Sequence, residues 1–179
     1  GFSVEFAEHR QYVPGDDIRD LDWRVYAKSD RYYIKQYIEE TNLRSVILLD
    51  ASGSMRYTGH EAARHDGRQL SKFEYGRYLA ASLAHLAHRQ RDAVGVTLFA
   101  DRVLEHRKAR SSTDHLMEVL QVIDQAGVHP PADSPMVLHE VAELMPRRGL
   151  VTVISDLYFD TESLLSALAH FRHFGHDLL

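Results

Sequence analysis

Oxygen-bearing side chains follow two apolar segments of this sequence. Asp50, Ser52 and Ser54 alternate in the stretch Asp-Ala-Ser-Gly-Ser, directly after the apolar run 45–49, and Asp156 closes a second run, 150–155. Carboxylate and hydroxyl oxygens are hard ligands that suit Mg²⁺, Mn²⁺ or Ca²⁺. The alternative is that Asp50 and Ser52 only cap a turn, where both residue types are common. The position of both groups after apolar runs favours a site for one divalent cation, Mg²⁺ first, with Mn²⁺ and Ca²⁺ as alternatives.

The elements that must position these residues alternate along residues 45–179. Apolar runs at 45–49, 93–99 and 150–155 alternate with amphipathic stretches, which predicts βα units and an α/β fold with a mainly parallel sheet flanked by helices. Residues 103–108 are expected to form an antiparallel edge strand. The first helix, 71–89, is expected to present Tyr75, Leu79, Leu83 and Leu86 along one stripe. Ligands of such sheets bind beyond the carboxyl ends of the strands, where Asp50 and Asp156 lie.

The first 44 residues differ from the rest in their density of charged and aromatic side chains. They contain a turn signal at Pro14-Gly15 and a strand-like alternation at 32–38. We expect this N-terminal extension to pack against the α/β body rather than to form its own domain. Its charged and aromatic residues either hold it on the sheet or form a docking surface for a partner. The candidate docking residues are Arg10, Asp16, Asp17, Arg19, Asp22, Trp23 and Arg24.

Composition excludes several classes of function. The chain has 21 basic and 26 acidic residues and a net charge of −5, so nothing indicates a nucleic-acid surface. It has no cysteine, which excludes disulfides and thiolate sites and fits a reducing compartment, so we expect a cytoplasmic location. No apolar run approaches the roughly 20 residues that span a bilayer. Because the sequence starts with Gly1 and ends where a strand begins, we expect a fragment that is truncated at its C-terminus.

The stretch 50–55 resembles the metal-ion-dependent adhesion site of von Willebrand factor A domains. That resemblance implies that the serines of the first loop and a later threonine ligate the ion, while carboxylates act directly or through water. The later hydroxyl falls on Ser134, where serine replaces the usual threonine. Ser134 is equally suited to cap a helix that begins at Pro135. Asp133 is an alternative ligand beside it.

A longer resemblance covers essentially the whole chain. Residues 5–24, from Glu-Phe-Ala-Glu-His-Arg to Leu-Asp-Trp-Arg, together with Glu39 and Glu40, resemble the signature of a bacterial family, domain-of-unknown-function family fifty-eight. The resemblance implies a von Willebrand factor A-like fold and genes that stand beside those of MoxR-type AAA+ ATPases. The expected function is a metal-dependent protein–protein interaction module, an accessory or adaptor to such an ATPase in protein assembly or maturation. The partner, the ATPase or its client, would supply an acidic residue to the ion.

Two other functions use the same residues. A hydrolase or phosphoryl-transfer enzyme would use the metal at the Asp/Ser site, but Ser52 stands where an aspartyl-phosphate enzyme usually has a second aspartate. The sequence also has no phosphate-binding glycine loop and no Gly-x-Ser-x-Gly motif. A scaffold with an empty site is the remaining alternative. We therefore expect a binding module rather than an enzyme.

Overall fold

The computed structural model describes residues 3–40, 43–60, 64–130, 136–145 and 147–179. The chain forms two compact units, Gly1–Asn42 and Leu43–Leu179. The boundary lies two residues before the one expected from the sequence. The expected packing of the first unit on the second stays a prediction. In the described part of the chain, no helix has both the length and the apolar character needed to cross a membrane.

The first unit is built on a two-stranded antiparallel sheet. Strand β1, Ser3–Gln11, pairs with β2, Tyr33–Glu40, and the register shifts between Phe6 and Glu8. A 3₁₀ turn, Ile18–Asp20, and the short helix α1, Trp23–Ser29, lie between the strands in sequence. Asp22 caps α1 by accepting hydrogen bonds from the backbone amides of Arg24 and Val25. The strand predicted at 32–38 is thus confirmed within two residues.

The second unit contains a five-stranded sheet with the order β7-β6-β3-β8-β9. Its strands are β3, Arg44–Asp50; β6, Ala93–Phe99; β7, Val103–Arg110; β8, Leu150–Ile154; and β9, Asp177–Leu178. Strand β3 runs parallel to β6 and β8, β8 runs parallel to β9, and β7 is antiparallel to β6. The stretch after β3 carries a small hairpin, β4, Arg64–His65, with β5, Arg68–Gln69. The predicted α/β class, with a mainly parallel sheet and one antiparallel edge strand, is confirmed.

Helices cover both faces of this sheet. The helices are α2, Lys72–Arg89; α3, Thr113–Gln125; α4, Met136–Glu143; and α5, Thr161–His173. Side chains alternate along β3, so Ile47 and Leu49 join a core with α2 and α3, while Val46 and Leu48 join a core with α4 and α5. The central strand is therefore buried on both faces, as its continuous apolar sequence indicates.

Helix α2 turns a different face to the sheet from the one predicted. Tyr75, Leu79 and Leu86 are exposed, and only Leu83 of the predicted stripe packs against the core. The buried positions are Phe73, Gly76, Ala80 and Ala84. A Cβ atom on Gly76 would lie 3.1 Å from Cγ2 of Ile154 and 3.3 Å from Cδ1 of Leu49. The helix approaches the strands so closely at Gly76 that only a small side chain fits there, and Tyr75, Leu79 and Leu86 are left outside.

Candidate cation site

Two neighbouring parallel strands bring the predicted site residues to one edge of the sheet. Leu49 of β3 and Ile154 of β8 are partners in the register. Asp50 and Ser155 are the next residues of the two segments, so the loops that follow begin side by side. Asp50 is only 1% exposed, although it is a carboxylate at the end of a strand. A buried carboxylate needs hydrogen-bond partners or a cation. Ser52 and Ser155 supply hydrogen bonds to Asp50.

Both oxygens of Asp50 accept hydrogen bonds. Oδ1 accepts from the backbone amide of Ser52 at 2.8 Å, and Oδ2 accepts from the hydroxyl of Ser155 at 2.5 Å. Ser155 Oγ also accepts from the amide of Leu157 at 2.9 Å. Asp50 therefore ties the loop after β3 to the loop after β8. Sequence reasoning missed Ser155, and its signal was a hydroxyl residue directly before Asp156.

The hydroxyls of the first loop continue this connection. Oγ of Ser52 and Oγ of Ser54 are 3.1 Å apart, and Ser54 Oγ donates to Oδ1 of Asp156 at 3.1 Å. Met55, which is buried, fixes the 3₁₀ turn Gly53–Arg56 that carries Ser54. The structure thus brings together four of the predicted site residues, three from β3 and its loop and one from the loop after β8: Asp50, Ser52, Ser54 and Asp156.

Two of the predicted ligands, Asp133 and Ser134, lie outside the described residues. Their part in the site stays a prediction. The described chain just before them is anchored beside the site loop, because the amide of His129 donates to the carbonyl of Ala51 at 2.8 Å. The amide of Ala51 in turn donates to the carbonyl of Phe99 at 2.8 Å, which holds the loop against β6.

Lys72 adds a positive charge that sequence reasoning did not assign to the site. Its Nζ lies 2.8 Å from Oδ2 of Asp156. Burial opposes ionisation of the Asp156 carboxyl, but the hydrogen bonds from Lys72 and Ser54 and the charge of Lys72 together lower its pKa below the usual value. Asp156 is accordingly an ionised carboxylate at neutral pH, with one oxygen on a hydroxyl and the other on an ammonium group.

The donor set fits a hard cation better than a soft one. Among the described residues, no group of three or more histidine, cysteine, aspartate or glutamate side chains is placed to hold a metal ion. The cluster has two carboxylates, Asp50 and Asp156, and its other donors are the hydroxyls of Ser52 and Ser54. Such a set of oxygens suits Mg²⁺, Mn²⁺ or Ca²⁺ and excludes a histidine- or thiolate-based zinc centre at this place.

The candidate docking residues of the first unit form two local clusters. Arg10 pairs with Asp16 at 2.8 Å, and Asp17 caps the 3₁₀ turn through the amide of Arg19. Arg19 and Arg24 are exposed. Three of the candidate docking residues thus take part in an ion pair or a turn cap: Arg10, Asp16 and Asp17.

Asp22 is the centre of the second cluster. Its carboxylate lies 2.9 Å from Nε2 of His9 and 3.6 Å from Nζ of Lys35. The hydrogen bond with His9, the amides of the helix cap and the charge of Lys35 outweigh burial and lower the pKa of Asp22 to about 2. Trp23 follows with 58% of its surface exposed, its ring edge-on to Tyr26 at 6.2 Å between centroids.

Fold and site together define an α/β protein with a cluster of oxygen donors at the carboxyl edge of a mainly parallel sheet. The family model described as Protein of unknown function DUF58 matches residues 8–178. The chain belongs to this family, which confirms the family resemblance drawn from residues 5–24.

Two curated mycobacterial proteins are similar to most of the chain. The chain is 24% identical over 159 residues to Uncharacterized protein Rv1480 of Mycobacterium tuberculosis and, equally, to Uncharacterized protein Mb1516 of Mycobacterium bovis, covering 87% of this chain and 48% of each relative. The chain thus spans about half the length of these curated relatives.

Two crystal structures share the fold. The conserved hypothetical protein BatB from Bacteroides thetaiotaomicron superposes with a TM-score of 0.55 at 15% identity, over 76% of this chain and 64% of that one. An aerotolerance-related membrane protein from Bacteroides fragilis gives 0.54 at 16% identity, over 76% and 65%.

Proposed function

We propose that the second unit is a von Willebrand factor A-like domain that holds one divalent cation and uses it to bind an acidic residue of a protein partner. The observation that supports this most strongly is the continuous chain from Ser52 through Ser54 to Asp156, with Asp50 fixing the loop that carries both serines. Residues separated by about a hundred positions in sequence present their oxygens to one another. If Asp50 and Ser52 only capped a turn, no contact with Asp156 after β8 would be needed.

The spacing of the oxygens supports an octahedral ion. Two neighbouring ligands of Mg²⁺, each about 2.1 Å from the metal at right angles, lie about 3.0 Å apart. The distance between Ser52 Oγ and Ser54 Oγ is 3.1 Å, and that between Ser54 Oγ and Asp156 Oδ1 is also 3.1 Å. Ser52 and Ser54 would hold the ion, with Asp50 and Asp156 acting directly or through water, and Ser134 or Asp133 as a further ligand.

An ion held in this way supplies a positive centre with free coordination positions. Mg²⁺ keeps several waters when the protein shell is incomplete. A carboxylate from a partner can replace one of these waters, and the bond between the two proteins then depends on the metal. This chemistry is recognition and needs no covalent step at the serines.

We also propose, from the family resemblance, that the partner is a MoxR-type AAA+ ATPase or its client and that the domain acts as an accessory in protein assembly or maturation in the cytoplasm. The alternative, a metal-dependent hydrolase, would need an activated nucleophile. In the part of the chain that the structure describes, no histidine side chain hydrogen-bonds to Ser52 or Ser54. The binding function is therefore the better supported of the two.

Calorimetric titration with Mg²⁺ and Mn²⁺ tests the metal claim. The whole chain is expected to bind one ion, and Asp50→Ala, Ser52→Ala and Ser54→Ala are each expected to weaken or abolish binding. Ser82→Ala is the matched control, because Ser82 is an exposed serine of α2 whose hydroxyl donates to the carbonyl of Tyr78. Absence of binding to the wild type, or equal binding by Asp50→Ala, would refute the site.

A further inference from the structure

Lys72 is placed where helix physics disfavours a lysine. It is the first residue of α2, whose capping box is formed by Ser71 and Glu74. The amino end of a helix carries partial positive charge, so a cation there is unfavourable. The positions three and four residues on, Tyr75 and Gly76, offer no acidic partner along the helix. The compensating charge comes from Asp156, 84 positions away in sequence.

The ammonium group of Lys72 lies close to two groups that attract a cation, the Asp156 carboxylate and the Tyr57 ring. It lies 2.8 Å from Oδ2 of Asp156 and 5.3 Å from the centroid of the Tyr57 ring. The lysine side chain is 44% exposed, whereas that of Asp156 is 12% exposed, so the lysine is the partner that is free to move. Tyr57 is 63% exposed, and its carbonyl accepts from the backbone amide of Lys72 at 3.0 Å. An aromatic face within about 6 Å of a cation is attractive to it.

Asp156 is shared between the ammonium and the oxygen cluster. Its Oδ1 accepts from Ser54, which belongs to the candidate cation site, and its Oδ2 accepts from Lys72. A divalent ion bound at the cluster and the ammonium group would use the same carboxylate. Two cations on one carboxylate repel each other, and at a partly buried position this repulsion is only partly screened by solvent and salt.

We propose that Lys72 is a built-in competitor of the divalent cation. It neutralises Asp156 while the site holds no ion, and it moves off Oδ2 towards the Tyr57 ring when the ion binds. The lysine thereby lowers the affinity of the site, so that occupancy follows the concentration of free cation rather than staying saturated. This inference rests on the proposed function, because it presumes a cation at the oxygen cluster.

The test is calorimetric titration of the 179-residue chain with Mg²⁺ and with Mn²⁺, at pH 7.5 and low salt. Lys72→Met removes the charge and keeps the aliphatic side chain, and it is expected to bind the ion about tenfold more tightly than the wild type. Lys72→Arg keeps the charge and is expected to bind with about the affinity of the wild type. The difference in cation affinity between the wild type and Lys72→Met should decrease as KCl is added, because salt screens the repulsion between the two cations.

The direction of the change separates competition from a positioning role. If Lys72 only holds Asp156 in place, Lys72→Met will bind the ion equally or more weakly, and the inference is overturned while the proposed function stands. If neither the wild type nor Lys72→Met binds either ion, the proposed function itself fails. Binding by Lys72→Met alone would refute the proposed function of the wild-type chain, since the lysine would then exclude the ion rather than lower its affinity. Circular dichroism melting of each variant establishes that it is folded.

Discussion

Substitution of Gly76 by valine tests whether the close approach of α2 sets the geometry of the site. The Cβ position of Gly76 lies 3.1 Å from Ile154, 3.3 Å from Leu49 and 3.7 Å from Met55. Carbon atoms in contact prefer about 3.5–4.0 Å, so a first methyl-sized group is already tight, and the two γ-methyl groups of valine have no space. Each of these three neighbours is one or two residues away from a residue of the oxygen cluster.

The expected magnitude follows from two opposing effects. Overpacking a close-packed core costs about 1–3 kcal/mol, whereas valine gains about 0.4 kcal/mol over glycine in helix propensity. We therefore expect Gly76→Val to lower the free energy of unfolding by about 0.6–2.6 kcal/mol. If about 1.4 kcal/mol of that strain is carried into the site, cation affinity falls about tenfold. Gly76→Ala should stay near wild-type stability, because a propensity gain of about 1 kcal/mol offsets its milder crowding.

Urea unfolding and Mg²⁺ titration measure the two effects separately. Ser82→Val is the control, since it places the same β-branched side chain on an exposed position of the same helix. Its stability and affinity should both stay close to those of the wild type. If Gly76→Val proves as stable as Ser82→Val and binds the cation equally well, α2 does not press on the ends of β3 and β8 as described, and the reasoning is refuted.

Three further outcomes follow from the structure. Because the pKa of Asp22 is lowered to about 2 in the folded state, its contribution to stability is present above about pH 4 and is lost as pH falls from there towards about 2; Asp22→Asn should reduce the loss of unfolding free energy over this pH range, and a loss equal to that of the wild type would contradict the role of Asp22. Loss of the capping box in Ser71→Ala should cost about 1 kcal/mol in urea unfolding, and a change within the error of the wild type would contradict the cap. Leu86→Ser, on the exposed face of α2, should change stability by less than about 0.5 kcal/mol, whereas Ala84→Leu should destabilise by about 1–3 kcal/mol. If thermal melts show Leu86→Ser to be the more destabilised variant, the stripe predicted from the sequence faces the sheet after all.

The convergence of Asp50 and Asp156 could be predicted because it depends on a general rule. Both follow apolar runs, and the carboxyl ends of neighbouring parallel strands meet at one edge. The pairing of β3 with β8 then brings Asp50 and Ser155 together. The bond between Ser155 and Asp50 could not be predicted, because it depends on strand register, which an apolar run does not specify.

The sequence did not predict the place of Lys72 at the site or the buried face of α2, for a different reason. Between Ser54 and Lys72 lie 17 residues whose path decides where the helix begins, and no local pattern defines that path. Periodicity favoured Tyr75 and Leu79 as the inward face, but the buried face consists of Phe73 and three small residues: Gly76, Ala80 and Ala84. The distance between helix and sheet is a tertiary property, and it overrides the ranking of residues by hydrophobicity.

A crystal structure of the full chain with Mn²⁺ present, with an anomalous difference map at the manganese edge, tests the proposed cation site most directly. The account predicts one peak at the carboxyl edge of the sheet, about 2.0–2.6 Å from Oγ of Ser52 and of Ser54, with Asp50 and Asp156 as direct or water-mediated neighbours. A map without a peak at this edge, at millimolar Mn²⁺ and with the four side chains ordered as described, would contradict it.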